Sequence, residues 1–280
     1  MKKILFPTDF SKASLNAFKY ALELAHSCDA EIITLHVYEF PPIDQGADFG
    51  IAPYLMETYN ILEMSSFENF KGQVPILRAI AAAQGKSDIR ISNVLKEGDL
   101  VSNILQIIKE ENIEYVVMST KGATGLEAIF LGTVTAKVMI ATKAIVLGIP
   151  ESAVFEPISR IGFATHFKED EKKALKRVIA IADNFKARVD CIYVKAPGEK
   201  VNEVVIADWE HNFKDKVTFN IIENKNIEAA ILDFIAANGI NMLAMFNHRH
   251  GFFESLFHES RTKKMAYHTH IPLMALHDNG

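Results

Sequence analysis

The sequence predicts an α/β protein made of two tandem halves, each a mainly parallel five-stranded sheet flanked by helices. Three observations lead there. Short runs of β-branched and aliphatic residues alternate with longer stretches of helical apolar spacing, giving strand, helix, strand order through the first 149 residues. The pattern then restarts, because Ile161-Gly162-Phe163-Ala164-Thr165-His166-Phe167 follows Ile4-Leu5-Phe6-Pro7-Thr8-Asp9-Phe10 at a constant offset of 157 residues, and residues 187–194 overlay 30–37 at the same offset. A chain of 280 residues suits two domains of ordinary size better than one long one. The polar, Pro-containing connection from Glu151 to Pro157 sets the boundary, with domains at 1–150 and 151–280.

The first strand is Ile4-Leu5-Phe6, ended by Pro7, whose missing N–H suits the end of a sheet element. Thr8, Asp9 and Ser11 follow, and Ser11 caps a helix marked by Leu15, Phe18, Ala21, Leu22 and Ala25. Residues 31–37 form the second strand, the Pro- and Gly-containing stretch 39–50 breaks it, and 51–69 read as helix. Residues 72–87 have apolar spacing that permits helix, with Gly85 as an interruption. A third strand is expected over 88–95, a helix after Gly98-Asp99, a fourth strand over 114–118, a helix from Thr133 and a final strand over 144–149. In the second half, strands are expected at 161–167, 187–194, 216–222, 240–246 and 271–276, with a helix over 226–237 and another before the last strand.

Composition narrows the function classes. Hydrophobic residues make up 49% of the chain and charged residues 23%, enough for two cores and a charged surface. The net charge of −5 is not segregated: residues 1–150 carry 13 Lys/Arg against 17 Asp/Glu, and the rest 17 against 18. No basic stripe is visible, so no nucleic-acid partner is expected. The opening Met1-Lys2-Lys3 leads into too few apolar residues for a signal-peptide core, and no run reaches membrane-spanning length. A cytoplasmic protein without a membrane partner is expected, with Cys28 and Cys191 as near-core thiols rather than a disulfide.

The chemistry-bearing stretch is 115–135, read as a buried strand, a glycine-containing loop and the first turn of a helix. The carboxyl end of a strand and the amino end of the next helix together turn backbone N–H groups toward an anion. Gly122, Gly125 and Gly132 allow close backbone approach, while Thr133 and Thr135 offer hydroxyls beside those N–H groups. The same glycines would also serve a tight strand–helix connection. The loop is neither a dinucleotide fingerprint nor a Walker loop, since no Gly-Lys-Ser/Thr closes it. No Gly-x-Ser-x-Gly elbow presents a nucleophile, so no catalytic residue is assigned and turnover, if any, is expected to be slow.

Three motifs resemble the universal stress protein family: Pro7-Thr8-Asp9-Phe10-Ser11, Leu35-His36-Val37, and Ser119-x-x-Gly122 followed by nine residues and Gly132-Thr133. The tandem arrangement looks like the two-domain universal stress proteins of bacteria. The resemblance implies two Rossmann-like domains paired through their last strands as an intramolecular pseudo-dimer. It also implies ATP or a related adenine nucleotide in the first domain, with Mg²⁺ as a companion ion. Asp9 would meet the ribose or polar groups near the base, Val37 the base, and Ser119, Gly122, Gly132, Thr133 and Thr135 the phosphates. Serine at 119 departs from the glycine that the family has there. A local capping role for Asp9 is the competing reading.

The second half keeps the skeleton with an altered site. His166 stands in the place of Asp9, Asn247-His248-Arg249-His250 in that of Ser119 to Gly122, and Glu259-Ser260 in that of Gly132-Thr133. One nucleotide site at most is therefore expected. Eight of the ten histidines lie after residue 165, namely His166, His211, His248, His250, His258, His268, His270 and His277, which raises Zn²⁺ as an alternative ligand, although the spacing matches no zinc motif. The leading expectation is a nucleotide-dependent regulatory switch acting through a regulatory protein partner, as a monomer or homodimer. A non-nucleotide stress-response scaffold and a histidine-dependent metal regulator are the alternatives.

Overall fold

The computed structural model describes residues 1–39, 52–120, 133–247 and 270–277. In chain order the elements are β1 (Lys2–Pro7), α1 (Lys12–Cys28), β2 (Ala30–Tyr38), α2 (Ala52–Ala83), β3 (Ile91–Glu97), α3 (Leu100–Glu110), β4 (Tyr115–Ser119), α4 (Thr133–Ala141) and β5 (Ile145–Ile149). The second half follows with β6 (Arg160–Ala164), α5 (Glu169–Phe185), β7 (Arg188–Lys195), α6 (Glu203–Phe213), β8 (Val217–Glu223), α7 (Ile227–Asn238), β9 (Met242–Asn247) and β10 (Leu273–His277).

All ten strands join one sheet in the order β3-β2-β1-β4-β5-β10-β9-β6-β7-β8. Within each half every pairing is parallel, as βαβ crossovers require. The halves meet where β5 and β10 run antiparallel, Val146 opposite Ala275 and Gly148 opposite Leu273. The expected pairing of last strands is therefore present within the chain, and it covers two edges that would otherwise expose backbone groups. One core lies on the face under α1, α2, α5 and α6, and another on the face under α3, α4 and α7.

The 157-residue offset extends to backbone details. Phe10 and Phe167 both take positive φ, 58° and 55°, as do the α1 and α5 caps Asp29 and Lys186, 51° and 55°. At the seam, Tyr20 on α1 and Arg177 on α5 hold equivalent places. The Tyr20 hydroxyl donates to the carbonyl of Val154 at 3.0 Å, and an Arg177 N–H donates to the carbonyl of His277 at 2.9 Å. Asn16 adds a bond from its amide to the Ala153 carbonyl at 2.8 Å, so the connection between the domains is fastened to α1.

Two expectations change. Residues 51–69 and 72–87 do not form separate elements but one helix, α2, which carries Pro75 inside it and ends before Gly85. The buried Phe70, Leu77 and Ala81 recur on one face across the proline and hold the helix against the sheet, which outweighs the proline's local cost. In the second half α6 forms around Trp209, which is wholly buried. The polar neighbours Asp208, Glu210 and His211 concealed that helix, whose buried residues are Ile206, Trp209 and Phe213. Both cysteines are free, Cys191 buried and Cys28 partly so; burial pushes both thiols up, Cys28 to about 11.

His277 closes β10 at the seam. Burial lowers its pKa, the Arg177 charge adds to this, and a hydrogen bond with the backbone of Met139 on α4 opposes it. The folded imidazole thus binds a proton less readily than the unfolded one at about 6.5. Stability is full above that value and falls as pH drops through it toward the depressed folded pKa. Urea denaturation at pH 7.5 and 5.5 should show a smaller acid loss for His277→Gln than for the parent; equal losses would remove His277 from the account.

Candidate functional site

In a sheet ordered 3-2-1-4-5, crossovers leave β1 and β4 toward opposite edges, which opens a crevice at their carboxyl ends. The Thr8-Asp9-Phe10-Ser11 turn and Ser119-Thr120 stand on the two sides of that crevice. The turn is built by its own side chains. Thr8 N–H donates to the Leu35 carbonyl at 2.8 Å, and the Thr8 hydroxyl accepts from Phe10 N–H at 3.1 Å while meeting the Ser14 hydroxyl at 2.7 Å. Asp9 Oδ1 accepts from Ser11 N–H at 3.0 Å, and Ser11 Oγ accepts from Ser14 N–H at 3.2 Å to cap α1. Asp9 is exposed, so its carboxylate caps the turn and also faces outward at the crevice.

His36 fixes this turn from behind. Its Nδ1 lies 2.8 Å from the Thr8 carbonyl, an acceptor only, which assigns the proton to Nδ1. The ring stacks on Phe70 with an interplanar angle of 9° and touches Phe10 at a centroid distance of 5.2 Å. His36→Phe should keep the stacking and lose the bond, lowering stability by about 1 kcal/mol. Urea denaturation checks this, and an unchanged midpoint would contradict it.

Of the residues assigned from sequence, Val37 is half-buried near the end of β2 against the core under α3 and α4. Ser119 ends β4, and Thr133 is exposed at the first position of α4. Thr135 is buried, and its hydroxyl donates to the Ser119 carbonyl at 3.0 Å, tying the amino end of α4 to the carboxyl end of β4. That bond uses the one proton Thr135 could offer a phosphate and makes it a clasp holding α4 at the crevice. Gly122 and Gly132 lie outside the described residues.

The sequence model of the universal stress protein family matches residues 1–148. The chain belongs to the universal stress protein family. The universal stress protein MJ0531 of Methanocaldococcus jannaschii is 30% identical over 142 residues, covering 49% of this chain and 75% of the relative. The universal stress protein YxiE of Bacillus subtilis is 26% identical over 136 residues, covering 49% of this chain and 90% of the relative. A universal stress protein structure from Archaeoglobus fulgidus superposes with a TM-score of 0.72 at 20% identity, covering 99% of this chain and 96% of that one, and shows the fold across both halves. These relatives are archaeal as well as bacterial, which widens the expected bacterial type to the family at large.

The second half of the chain keeps the turn and changes its fastening. Thr165 N–H donates to the Ile192 carbonyl at 3.0 Å, and Phe167 N–H to the Thr165 hydroxyl at 3.0 Å, as at Thr8 and Phe10. Glu171 replaces Ser14. Its buried carboxylate accepts from the Thr165 hydroxyl at 2.7 Å, His166 N–H at 2.8 Å and Lys168 N–H at 3.1 Å, with His166 Nδ1 3.5 Å away. Tyr193 replaces His36, and its hydroxyl turns to Glu199 at 3.0 Å instead. The cleft between Thr165, Glu171, Ile192 and Met245 retains about 20 Å³, room for about one water. Sequence reading missed Glu171, although Ser14 and Glu171 are related by the same 157-residue offset.

Among the described residues, no three His, Cys, Asp or Glu side chains gather as a metal site. His166 approaches Glu171, His270 meets the Ser152 hydroxyl at 3.0 Å, and His277 sits at the seam. His248, His250, His258, His268 and Glu259 lie outside the described residues. No helix among those described is long and apolar enough to cross a membrane.

Proposed function

We propose that the first domain binds ATP or a related adenine nucleotide and that occupancy, rather than turnover, is the regulatory signal. The observation carrying this reading is the crevice between β1 and β4, where an exposed Asp9 follows β1 and a helix amino end is clasped to Ser119 at the end of β4 through Thr135. Nucleotides bind α/β sheets at that topological position, with phosphate toward the helix amino end. The family match adds support because residues 1–148 span this site. Asp9 would hold ribose hydroxyls, Val37 would wall the base, and Ser119, Gly122, Gly132 and Thr133 would surround the phosphates. Mg²⁺ would arrive with the nucleotide, since that ion needs few protein ligands beside phosphate oxygens and water.

The second domain has a different cleft. The Glu171 carboxylate that lines it repels phosphate. We therefore propose one nucleotide per chain, with the second domain passing on the state of the first through the continuous sheet. No catalytic residue is assigned, and hydrolysis would be slow at most. The test is equilibrium binding of a fluorescent ATP analogue to the parent, Asp9→Ala and Gly132→Glu. The reading expects about tenfold weaker binding for Asp9→Ala, from loss of one charge-assisted hydrogen bond, and no binding for Gly132→Glu. Equal binding by all three would reject the site.

A further inference from the structure

We propose that two copies of the chain pair antiparallel through the outward face of α2, with Met64 on the symmetry axis. The inward face of this helix is accounted for by Phe70, Leu77 and Ala81, which are buried against the first-domain core. On the opposite side Ile61, Met64 and Phe67 stand 60%, 69% and 51% exposed. Their spacing of three residues aligns them as one stripe on a helix surface. Exposed apolar side chains such as Val154 and Val204 have no other exposed large apolar residue within four positions among the described residues and call for no partner.

Charge placement selects a second copy as the occupant. Glu57 precedes Ile61 by one helical turn and Lys71 follows Phe67 by one turn, and both are exposed. An antiparallel pair centred on Met64 sets Met64 against Met64, Ile61 against Phe67, and Glu57 against Lys71. Two-fold symmetry repeats each of the last two contacts, so one face complements itself in both shape and charge. Antiparallel helix dipoles add to this. Lys71 also approaches Glu68 on its own helix at 3.8 Å, an exposed pair that does not withdraw it from a partner. The edges β5 and β10 are already paired inside the chain, so that route to a second copy is taken.

The three apolar side chains expose on the order of 300 Å² together, well below the roughly 800 Å² per partner of a standard stable interface. The pairing is accordingly concentration-dependent, with Kd in the range of roughly 10–100 μM. Sedimentation velocity of the full chain across roughly 1–300 μM should show monomer giving way to dimer at low salt. Met64→Glu should remain monomeric throughout with an unchanged thermal melt. Glu57→Lys alone, or Lys71→Glu alone, sets like charges opposite each other twice and should weaken the dimer about five- to tenfold. The double exchange Glu57→Lys/Lys71→Glu should restore it. A parent that stays monomeric, a dimer that survives Met64→Glu, or a double exchange without recovery would each overturn the proposal.

Discussion

Replacing Arg160 with Met should destabilise the protein by about 3–5 kcal/mol, because it leaves a carboxylate in the interior without its cation. Asp190 on β7 is only 2% exposed at its side chain and receives two guanidinium bonds from Arg160, at 2.6 and 2.9 Å. A third Arg160 bond, at 2.6 Å, reaches the Asn238 carbonyl at the end of α7. The pair closes the amino-terminal end of the second half of the sheet together with Asn241, whose side-chain oxygen accepts from Ser159 and Arg160 N–H groups. The first domain meets the same need differently: Lys3 and Ile33 occupy the equivalent positions, Lys3 bonded to Glu111 at 2.6 Å and Ile33 buried in the core. Arg160→Lys/Asp190→Ile, which copies that solution, should therefore recover most of the loss. Urea titration would decide, and a cost below about 1 kcal/mol for Arg160→Met would show that Asp190 is held by other means.

Glu171→Ala should cost about 4 kcal/mol, since three donors gathered on one buried carboxylate would lose their acceptor together. The consequence is local: the Thr165-His166-Phe167 turn loses the fastening that keeps Phe167 at φ 55°. Phe167 packs edge-on to Trp209 at 5.2 Å, and Trp209 is the chain's single tryptophan. Its emission should therefore redden in Glu171→Ala before global unfolding. Glu171→Ser, which restores the first-domain residue, should lose less because the Thr165 hydroxyl regains a partner. An unshifted emission together with an unchanged urea midpoint in Glu171→Ala would contradict this role.

The duplication and both halves of the sheet were legible in the sequence because buried parallel strands are short apolar runs, and Ile4, Leu5, Phe6 and Ile161, Phe163 show this directly. The pairing of β5 with β10 was legible only through the family resemblance, since nothing in Ile145 to Ile149 names its partner. Helix α2 was read as two pieces, the second interrupted at Gly85, because Gly85 speaks locally, whereas Phe70, Leu77 and Ala81 act through tertiary burial. At the candidate site, Ser11 was legible as the α1 cap, and Asp9, assigned to the nucleotide with turn capping as the competing reading, does make the capping bond to Ser11 N–H. Thr135 was assigned to phosphate from its hydroxyl, its position and the family resemblance, while its bond to the Ser119 carbonyl depends on the register between α4 and β4. Glu171 was missed because a charged residue at the start of a helix normally reads as a solvated first-turn acid, and only the fold reveals it as buried.

Calorimetric titration of nucleotide-stripped protein with ATP and Mg²⁺ tests the central claim most directly. The account predicts saturable binding at one site per chain, lost in Gly132→Glu while the Trp209 emission and thermal melt stay as in the parent. No binding to the folded protein would contradict the nucleotide reading and favour a scaffold, and two equivalent sites would contradict the assignment of the second cleft as closed to nucleotide.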